Sequence, residues 1–355
     1  MNQPADKPIS ALEALERAQW IAFAPMVFQA ACVLRDRGIL AALEASRDGL
    51  TLAEAADAAG LPIYGTRVLL EAGLGIGIVK ETDARWQLTK VGTFLLRDPM
   101  TRANMDFTRD VNYLGLASLG EAVATGKPAG LKVFGEWATV YEGLAQLPEP
   151  IRRSWFAFDH FYSDGAFATT LPLVFKQRPR RLLDIGGNTG KWARACLQHD
   201  PEVEVTLMDL PGQLHNAEEL LRGAGLLDRV RFHPANLLDP AAVVPPGFDA
   251  IWMSQFLDCF SEAEIVAILR RCAAAIPPHG RIYILEAFWD QQRFKAASFC
   301  LQMTSLYFTA IANGTSQMYR STTFLACVEA AGLEIETQHH ELGMSHTLLV
   351  CKPRA

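Results

Sequence analysis

The chain has 355 residues, half of them apolar and a fifth charged, with a net charge of −6. At roughly 150 residues per domain, this makes two domains with a sizeable core. The acidic balance weighs against a general nucleic-acid binder and against a basic membrane-surface protein. The mean hydropathy of +0.10 points to apolar surface buried against a second chain, or to a large core. No run of about 18 uncharged apolar residues occurs, so no transmembrane helix is expected. Met1-Asn2-Gln3-Pro4 lacks the basic stretch that opens a secretory signal. Seven cysteines without a C-x-x-C pair read as free thiols of a reducing cytoplasm, not as a disulfide framework or a zinc site. No bound metal is expected.

Residues 11–110 read as helices and one small hairpin. Leu12, Leu15, Trp20, Phe23, Val27, Ala30, Ala31 and Leu34 recur at helical spacing over 11–43, and Gly38 separates two helices. Thr51, with Glu54 three residues on, forms a capping box for the next helix, which Gly60-Leu61-Pro62 ends. Another helix covers 64–74. Gly77-Ile78-Val79-Lys80 and Arg85-Trp86-Gln87-Leu88 are two strands turning at Thr82-Asp83. Helix, helix–turn–helix and hairpin in this order is a winged-helix pattern. Such a domain either binds DNA or serves packing and dimerisation. The recognition-helix position carries Arg67 as its only basic residue, where a major-groove helix needs several basic or amide side chains. Packing is therefore favoured.

Residues 111–175 hold loops at Gly126-Lys127-Pro128-Ala129-Gly130 and between Pro148 and Pro150. An aromatic-rich helical stretch with Trp155, Phe156, Phe158, Phe161, Tyr162 and Phe167 follows. From Arg180 the pattern alternates, with strands over 181–185, 203–209, 230–233, 248–253 and 281–286. Helices cover 191–198, 214–224 and 262–275, the last capped by Ser261. Helical segments over 296–312 and 321–331 precede two β segments, 334–340 and 346–351. This alternation implies a parallel sheet covered by helices on both faces. The chain thus divides into 1–110, a connecting region 111–175, and 176–355.

Asp184-Ile185-Gly186-Gly187-Asn188-Thr189-Gly190 lies between a strand and a helix. A dinucleotide fingerprint needs G-x-G-x-x-G there; Gly187 and Gly190 fit, but Ile185 takes the first place. Asp184 at the strand end is a poor neighbour for a pyrophosphate. The loop suits a ligand that needs close backbone approach, carries positive charge and has no phosphate, as S-adenosylmethionine does. Asp209 ends the next strand 25 residues later, where a carboxylate can accept both ribose hydroxyls. The alternative is that Asp184 caps the following helix and Asp209 starts a turn.

With Met208-Asp209-Leu210-Pro211 following that loop, and the winged-helix region before it, the sequence resembles the S-adenosylmethionine-dependent O-methyltransferases of the caffeate and hydroxyindole type and their bacterial relatives. The resemblance covers about residues 20–352. It implies an α/β fold: a Rossmann-like class I methyltransferase domain with a final antiparallel strand, behind an N-terminal all-helical winged-helix dimerisation domain. It also implies a cytoplasmic homodimer joined through the N-terminal helices, with no nucleic-acid or membrane partner, acting on small aromatic or polyketide-like substrates. The cofactor set it implies is Asp184, Gly186, Gly187, Gly190, Asp209, Leu210, Asn236, Leu237 and Ser254, with Asn236 facing the adenine amino group.

The family's general-base histidine falls on Asp258, in Ser254-Gln255-Phe256-Leu257-Asp258-Cys259-Phe260. A phenol with a pKa of about 10 is ionised in roughly one molecule in a thousand at pH 7, so removing its proton costs about 4 kcal/mol. An unperturbed carboxylate is poorly matched to that task, but desolvation beside Leu257 and Phe260 raises it into a useful range. Otherwise Asp258 caps the helix at Ser261 or is exposed. His160 is a second base candidate. Glu286, at a strand end, matches the carboxylate that supports the base in the family, and His346 reads as structural. Trp252, Met253, Phe288, Trp289, Met303, Tyr307 and Phe308 line an aromatic pocket or form plain core. Orientation alone supplies about 7–11 kcal/mol to such a transfer, so ring C-methylation on the same scaffold is the rival to O-methylation. Outside enzymes, the alternative is a winged-helix regulator with a degenerate cofactor domain, against which the intact acids and glycines weigh.

Overall fold

The computed structural model describes residues 9–354. Met1-Asn2-Gln3-Pro4, read above for a secretory signal, lies outside them. The chain divides into two compact units at Asp110/Val111.

The first unit opens with α1 (Ala11–Asp36), whose start is closed by a Ser10/Glu13 capping box. Gly38, at φ +80°, breaks the path into α2 (Ile39–Ala45). The Thr51/Glu54 box closes the start of α3 (Leu52–Ala59), and α4 (Ile63–Gly75) follows. Strands β1 (Val79–Thr82) and β2 (Arg85–Leu88) pair antiparallel. Their turn falls on Asp83 and Ala84, both at positive φ, one residue later than Thr82-Asp83. A two-residue hairpin loop that matches the strand twist takes this backbone. Two helices that the sequence pattern did not reveal, α5 (Lys90–Arg97) and α6 (Pro99–Phe107), complete the unit. The unit is therefore not all-helical: Trp86 of the hairpin joins Leu34, Leu40, Leu43 and Leu70 in one core.

The N-terminal half of α1 stays outside that core. Leu12, Trp20, Ile21 and Met26 are 45–76% exposed. Judged by mean hydropathy rather than by an unbroken apolar run, α1 is long and apolar enough to cross a bilayer.

The second unit begins with α7 (Leu119–Thr125), α8 (Val140–Gly143) and the long α9 (Glu149–Val174). Its sheet has seven strands in the order β5-β4-β3-β6-β7-β9-β8. Strands β3 (Arg181–Ile185), β4 (Glu204–Asp209), β5 (Val230–Pro234), β6 (Ala250–Ser254) and β7 (Arg281–Glu286) run parallel. β8 (Leu333–Leu342) and β9 (His346–Pro353) close the edge as an antiparallel pair. Between them in sequence come α10 (Lys191–His199), α11 (Pro211–Gly223), α12 (Glu262–Ala275), α13 (Lys295–Tyr307) and α14 (Ser321–Ala330). The expected helix over 296–312 ends as α13 at Tyr307, and Phe308–Ala312 form a wider, π-type turn.

Alternation along the strands supplies both faces of the sheet. Leu183, Ile185, Ile251 and Met253 enter one apolar layer, and Leu182, Leu207, Trp252 and Leu285 enter the other. Each such side chain contributes about 1.5–3 kcal/mol by leaving water. Strand order reverses between β3 and β6, so a crevice opens at their carboxyl ends, where open α/β sheets hold their ligands.

Candidate functional site

The loop leaving β3 is shaped by steric need. Gly186 sits at φ +72°, and a Cβ there would lie 2.2 Å from the Phe256 ring. A Cβ on Gly187 would approach Leu207 Cδ2 to 2.7 Å and Asp184 Oδ2 to 3.0 Å. Gly190, at φ +77°, starts α10 without any side-chain cap. Asp184 therefore does not cap that helix. It is buried, and its Oδ2 has no hydrogen-bond partner. Burial, reinforced by the nearby Asp209 carboxylate, holds it well above the usual carboxylate range.

Asp209 does more than start a turn. Its Oδ2 accepts the Asn188 N–H at 2.9 Å and its Oδ1 accepts the Leu210 N–H at 2.6 Å. Burial pushes it up to about 6, against the pull of those two donors. The acid at the end of β4 thus grips the glycine loop. Among the described residues that line this cleft, four buried polar atoms are unpartnered: Asp184 Oδ2, Asn188 Oδ1, Trp192 Nε1 and Ser254 Oγ. Buried polar groups in folded proteins are almost always paired, so this set awaits a polar ligand. Lys191, the basic side chain of the cleft, is already tied to Asp164 at 2.6 Å. Two carboxylates, a close-approach backbone and a neutralised lysine fit a cationic, phosphate-free group such as S-adenosylmethionine.

Helix α9 crosses beside this loop. Asn188 Nδ2 donates to Asp159 at 2.9 Å, and His160 Nε2 lies 3.4 Å from Thr189 Oγ1. His160 also stacks on Phe156 and lies within 3.8 Å of Asp159 and 3.7 Å of Asp164. It is brought to the loop, not to Asp258. Beyond β5, Asn236 is exposed and its Oδ1 accepts the Leu238 N–H at 2.9 Å. Leu237 packs into an apolar layer of the sheet.

The segment after β6 carries the candidate base, Asp258. Gln255 takes φ +46°, unusual for a residue with a side chain. Fully buried His346, at the start of β9, meets Gln255 Oε1 through Nε2 at 2.7 Å. Burial pushes His346 down to about 4, so the ring is neutral and Nε2–H donates. From the end of β7, Glu286 Oε1 accepts the N–H of Phe256 at 3.2 Å and of Leu257 at 2.9 Å. Burial and the neighbouring Asp258 hold Glu286 well above the usual carboxylate range. Ser261 and Glu264 close the start of α12 as a capping box. Asp258 is therefore not the cap, and at 6% exposure it is not a surface residue. Burial pushes it up to about 7, against the hydrogen bond from the Cys259 thiol, 3.4 Å from Oδ1.

Most of the aromatic set is core. Trp252 stacks on Trp192 at 3.9 Å, Met253 and Phe288 lie in the other layer, and Trp289 lies under the Arg320 guanidinium. Phe308 is buried and Met303 is exposed. Tyr307 is drawn toward the site, its hydroxyl accepting Trp155 Nε1–H at 2.7 Å. The sequence pattern missed Tyr141 of α8, whose buried hydroxyl faces Cys259, Tyr307 and Asp258. Nothing periodic marks that stretch.

Comparison with known proteins places this arrangement. Residues 168–333 match the O-methyltransferase domain family, and residues 16–86 match a Dimerisation2-like domain. The chain is 25% identical over 330 residues to the L-tyrosine C(3)-methyltransferase of Streptomyces lavendulae, covering 91% of this chain and 88% of that one. It is 30% identical over 237 residues to the demethylspheroidene O-methyltransferase of Rhodobacter capsulatus, covering 66% of this chain and 57% of that one. The apo form of the S-adenosylmethionine-dependent methyltransferase SibL superposes with a TM-score of 0.73 at 25% identity, over 96% of this chain and 100% of that one. The O-methyltransferase NcsB1, solved with S-adenosyl-L-homocysteine and 1,4-dihydroxy-2-naphthoic acid, superposes with a TM-score of 0.67 at 21% identity, over 93% and 96% of the two chains.

Proposed function

We propose, for a chain that belongs to the S-adenosylmethionine-dependent O-methyltransferase family, that it methylates a hydroxyl of a small aromatic, phenolic or polyketide-like acceptor. The observation that carries this is a buried Asp258, pushed up to about 7, in the turn that follows β6, the strand paired with the one that ends in Asp184. When bound, S-adenosylmethionine supplies an electrophilic methyl group on a sulfonium. Asp209 accepts from the ribose hydroxyls, and Asp184 and Ser254 satisfy the cationic amino-acid end. Gly186, Gly187 and Gly190 let the backbone approach, and Leu210, Asn236 and Leu237 flank the adenine.

Asp258 takes the phenolic proton. From a phenol near 10 to a carboxyl near 7 the transfer is uphill by about 4 kcal/mol; to an unshifted carboxylate it is uphill by about 8 kcal/mol. Burial thus halves the cost. Glu286 holds the segment that presents Asp258, and His160 orders the glycine loop. Ring C-methylation is the second reading, supported by the likeness to an L-tyrosine C(3)-methyltransferase over 91% of this chain. The exposed apolar half of α1 supports a homodimer joined through the N-terminal helices. Seven unpaired cysteines support a cytoplasmic setting.

Titration with S-adenosylhomocysteine tests the cofactor site. Wild-type protein binds it, and Asp209→Ala weakens binding by at least tenfold; unchanged affinity removes Asp209 from the ribose. Incubation with S-adenosylmethionine and a panel of phenols, with products read by NMR, then separates an O-methyl from a C-methyl product. No product from any phenol defeats both.

A further inference from the structure

We propose that the Tyr141 hydroxyl is the hydrogen-bond donor that holds the oxygen of a hydroxyl-bearing aromatic acceptor beside Asp258. This rests on the methyl-transfer reading above and deepens it. Tyr141 lies on α8, which packs against the Phe308–Ala312 turn that follows Tyr307. The ring of Trp137 lies flat on Gly143 of the same helix, where a Cβ would come within 2.3 Å of it. The short helix is thus held in place, and with it the direction of Tyr141.

The Tyr141 Oη is buried and makes no well-formed hydrogen bond among the described residues. The polar groups it faces are the Cys259 thiol, the Tyr307 hydroxyl and the Asp258 carboxyl, with the Cys259 sulfur within reach. The Cys259 thiol directs its proton at Asp258 Oδ1, 3.4 Å away, which leaves Tyr141 only a weak sulfur acceptor. The Tyr307 oxygen receives Trp155 Nε1–H at 2.7 Å. A buried hydroxyl left without a partner is a cost that folded proteins rarely carry unless something else completes it. A ligand oxygen at this point completes it.

The chemistry of the neighbours defines that oxygen. Facing the ionised Asp258 it donates a proton, and facing Tyr141 it accepts one. A hydroxyl does both; a methyl ether or a carbonyl cannot donate. A ligand carboxylate is disfavoured by the Asp258 charge. As the acceptor's proton moves toward Asp258, negative charge grows on the oxygen that Tyr141 holds, and a hydrogen bond to a charged oxygen is about twice as strong as a neutral one. Tyr141 therefore serves both recognition and ionisation of the acceptor.

The test uses full-length protein loaded with S-adenosylhomocysteine, with p-cresol and toluene as probes, read by ligand-observed NMR. Wild type binds p-cresol more tightly than toluene. Tyr141→Phe binds p-cresol about 5- to 10-fold more weakly, with toluene and S-adenosylhomocysteine affinities unchanged. Because the substitution removes an unpartnered hydroxyl, the free variant melts at or above the wild-type temperature. Equal p-cresol affinity in wild type and Tyr141→Phe overturns the proposal. So does wild-type protein that binds S-adenosylhomocysteine but prefers p-cresol no more than toluene; the cofactor assignment then stands alone. Failure of wild type to bind S-adenosylhomocysteine overturns the methyl-transfer reading, and this inference with it.

Discussion

Asp258 and Gly186 are the residues on which function and fold press hardest. Asp258 is buried at 6% exposure and pushed from an ordinary 3.8 up to about 7. The native state therefore holds its proton more tightly than the unfolded chain does. Stability associated with this group is fully present below about pH 4 and is lost as pH rises through about 7, a change of up to about 4 kcal/mol. Asp258→Asn is expected to lower turnover at least 100-fold while raising the melting temperature at pH 8 above wild type; thermal scans at pH 5 and pH 8 together with a rate assay check both. In wild type, turnover rises with pH through about 7 as the carboxyl ionises. A near-wild-type rate in Asp258→Asn removes it as the base. Gly186→Ala meets two penalties, a φ of +72° and a Cβ 2.2 Å from the Phe256 ring. It is expected to cost more than about 2 kcal/mol in denaturant unfolding and to abolish S-adenosylhomocysteine binding.

Asp258 owes its position to elements that bracket it. β6 delivers the segment, Glu286 at the end of β7 clamps two of its N–H groups, and the Ser261/Glu264 box starts α12 immediately after it. Removing the cap with Ser261→Ala is expected to lower stability by about 1 kcal/mol. Because the cap borders the turn that carries the proposed base Asp258, kcat should fall more than KM changes; a variant that is destabilised with unchanged kcat would show that the cap holds α12 alone. The order of these elements was legible in residue patterns: the capping box at Thr51, the cap at Ser261, the Gly38 break and the parallel strands all lie near where hydrophobic period and cap chemistry placed them. α5 and α6 were not legible, because the short segments give no sustained period. The π-type turn at Phe308–Ala312 was not legible either, since its composition is that of an ordinary helix.

At the scale of the molecule, α1 leaves a run of large apolar side chains exposed among the described residues. Leu12, Trp20, Ile21 and Met26 would leave several kcal/mol of apolar surface in water if the chain were alone. The proposed homodimer would remove that cost. Gel filtration is expected to give about twice the 39.1 kDa chain mass, and Ile21→Asp with Met26→Asp should shift the peak to monomer. A wild-type monomer would refute the dimer, and recovery of the wild-type protein with lipid rather than in buffer would point instead to a bilayer.

Residue spacing is enough to encode the features that are local along the chain. The glycine loop, the two acids at successive strand ends, the caps and the β–α alternation each depend on residues within one or two turns of each other, so spacing alone encodes them. Only the tertiary structure decided that Asp258 is a buried acid near neutrality, that Glu286 and His346 hold its segment, that Leu237, Met253 and Phe288 are core, and that Tyr141 reaches the site. Those properties are sums over groups from distant parts of the chain. Desolvation and field at Asp258 come from Asp159, Glu286 and the walls around them, and a linear sequence carries no measure of which distant side chains will exclude water from a carboxylate.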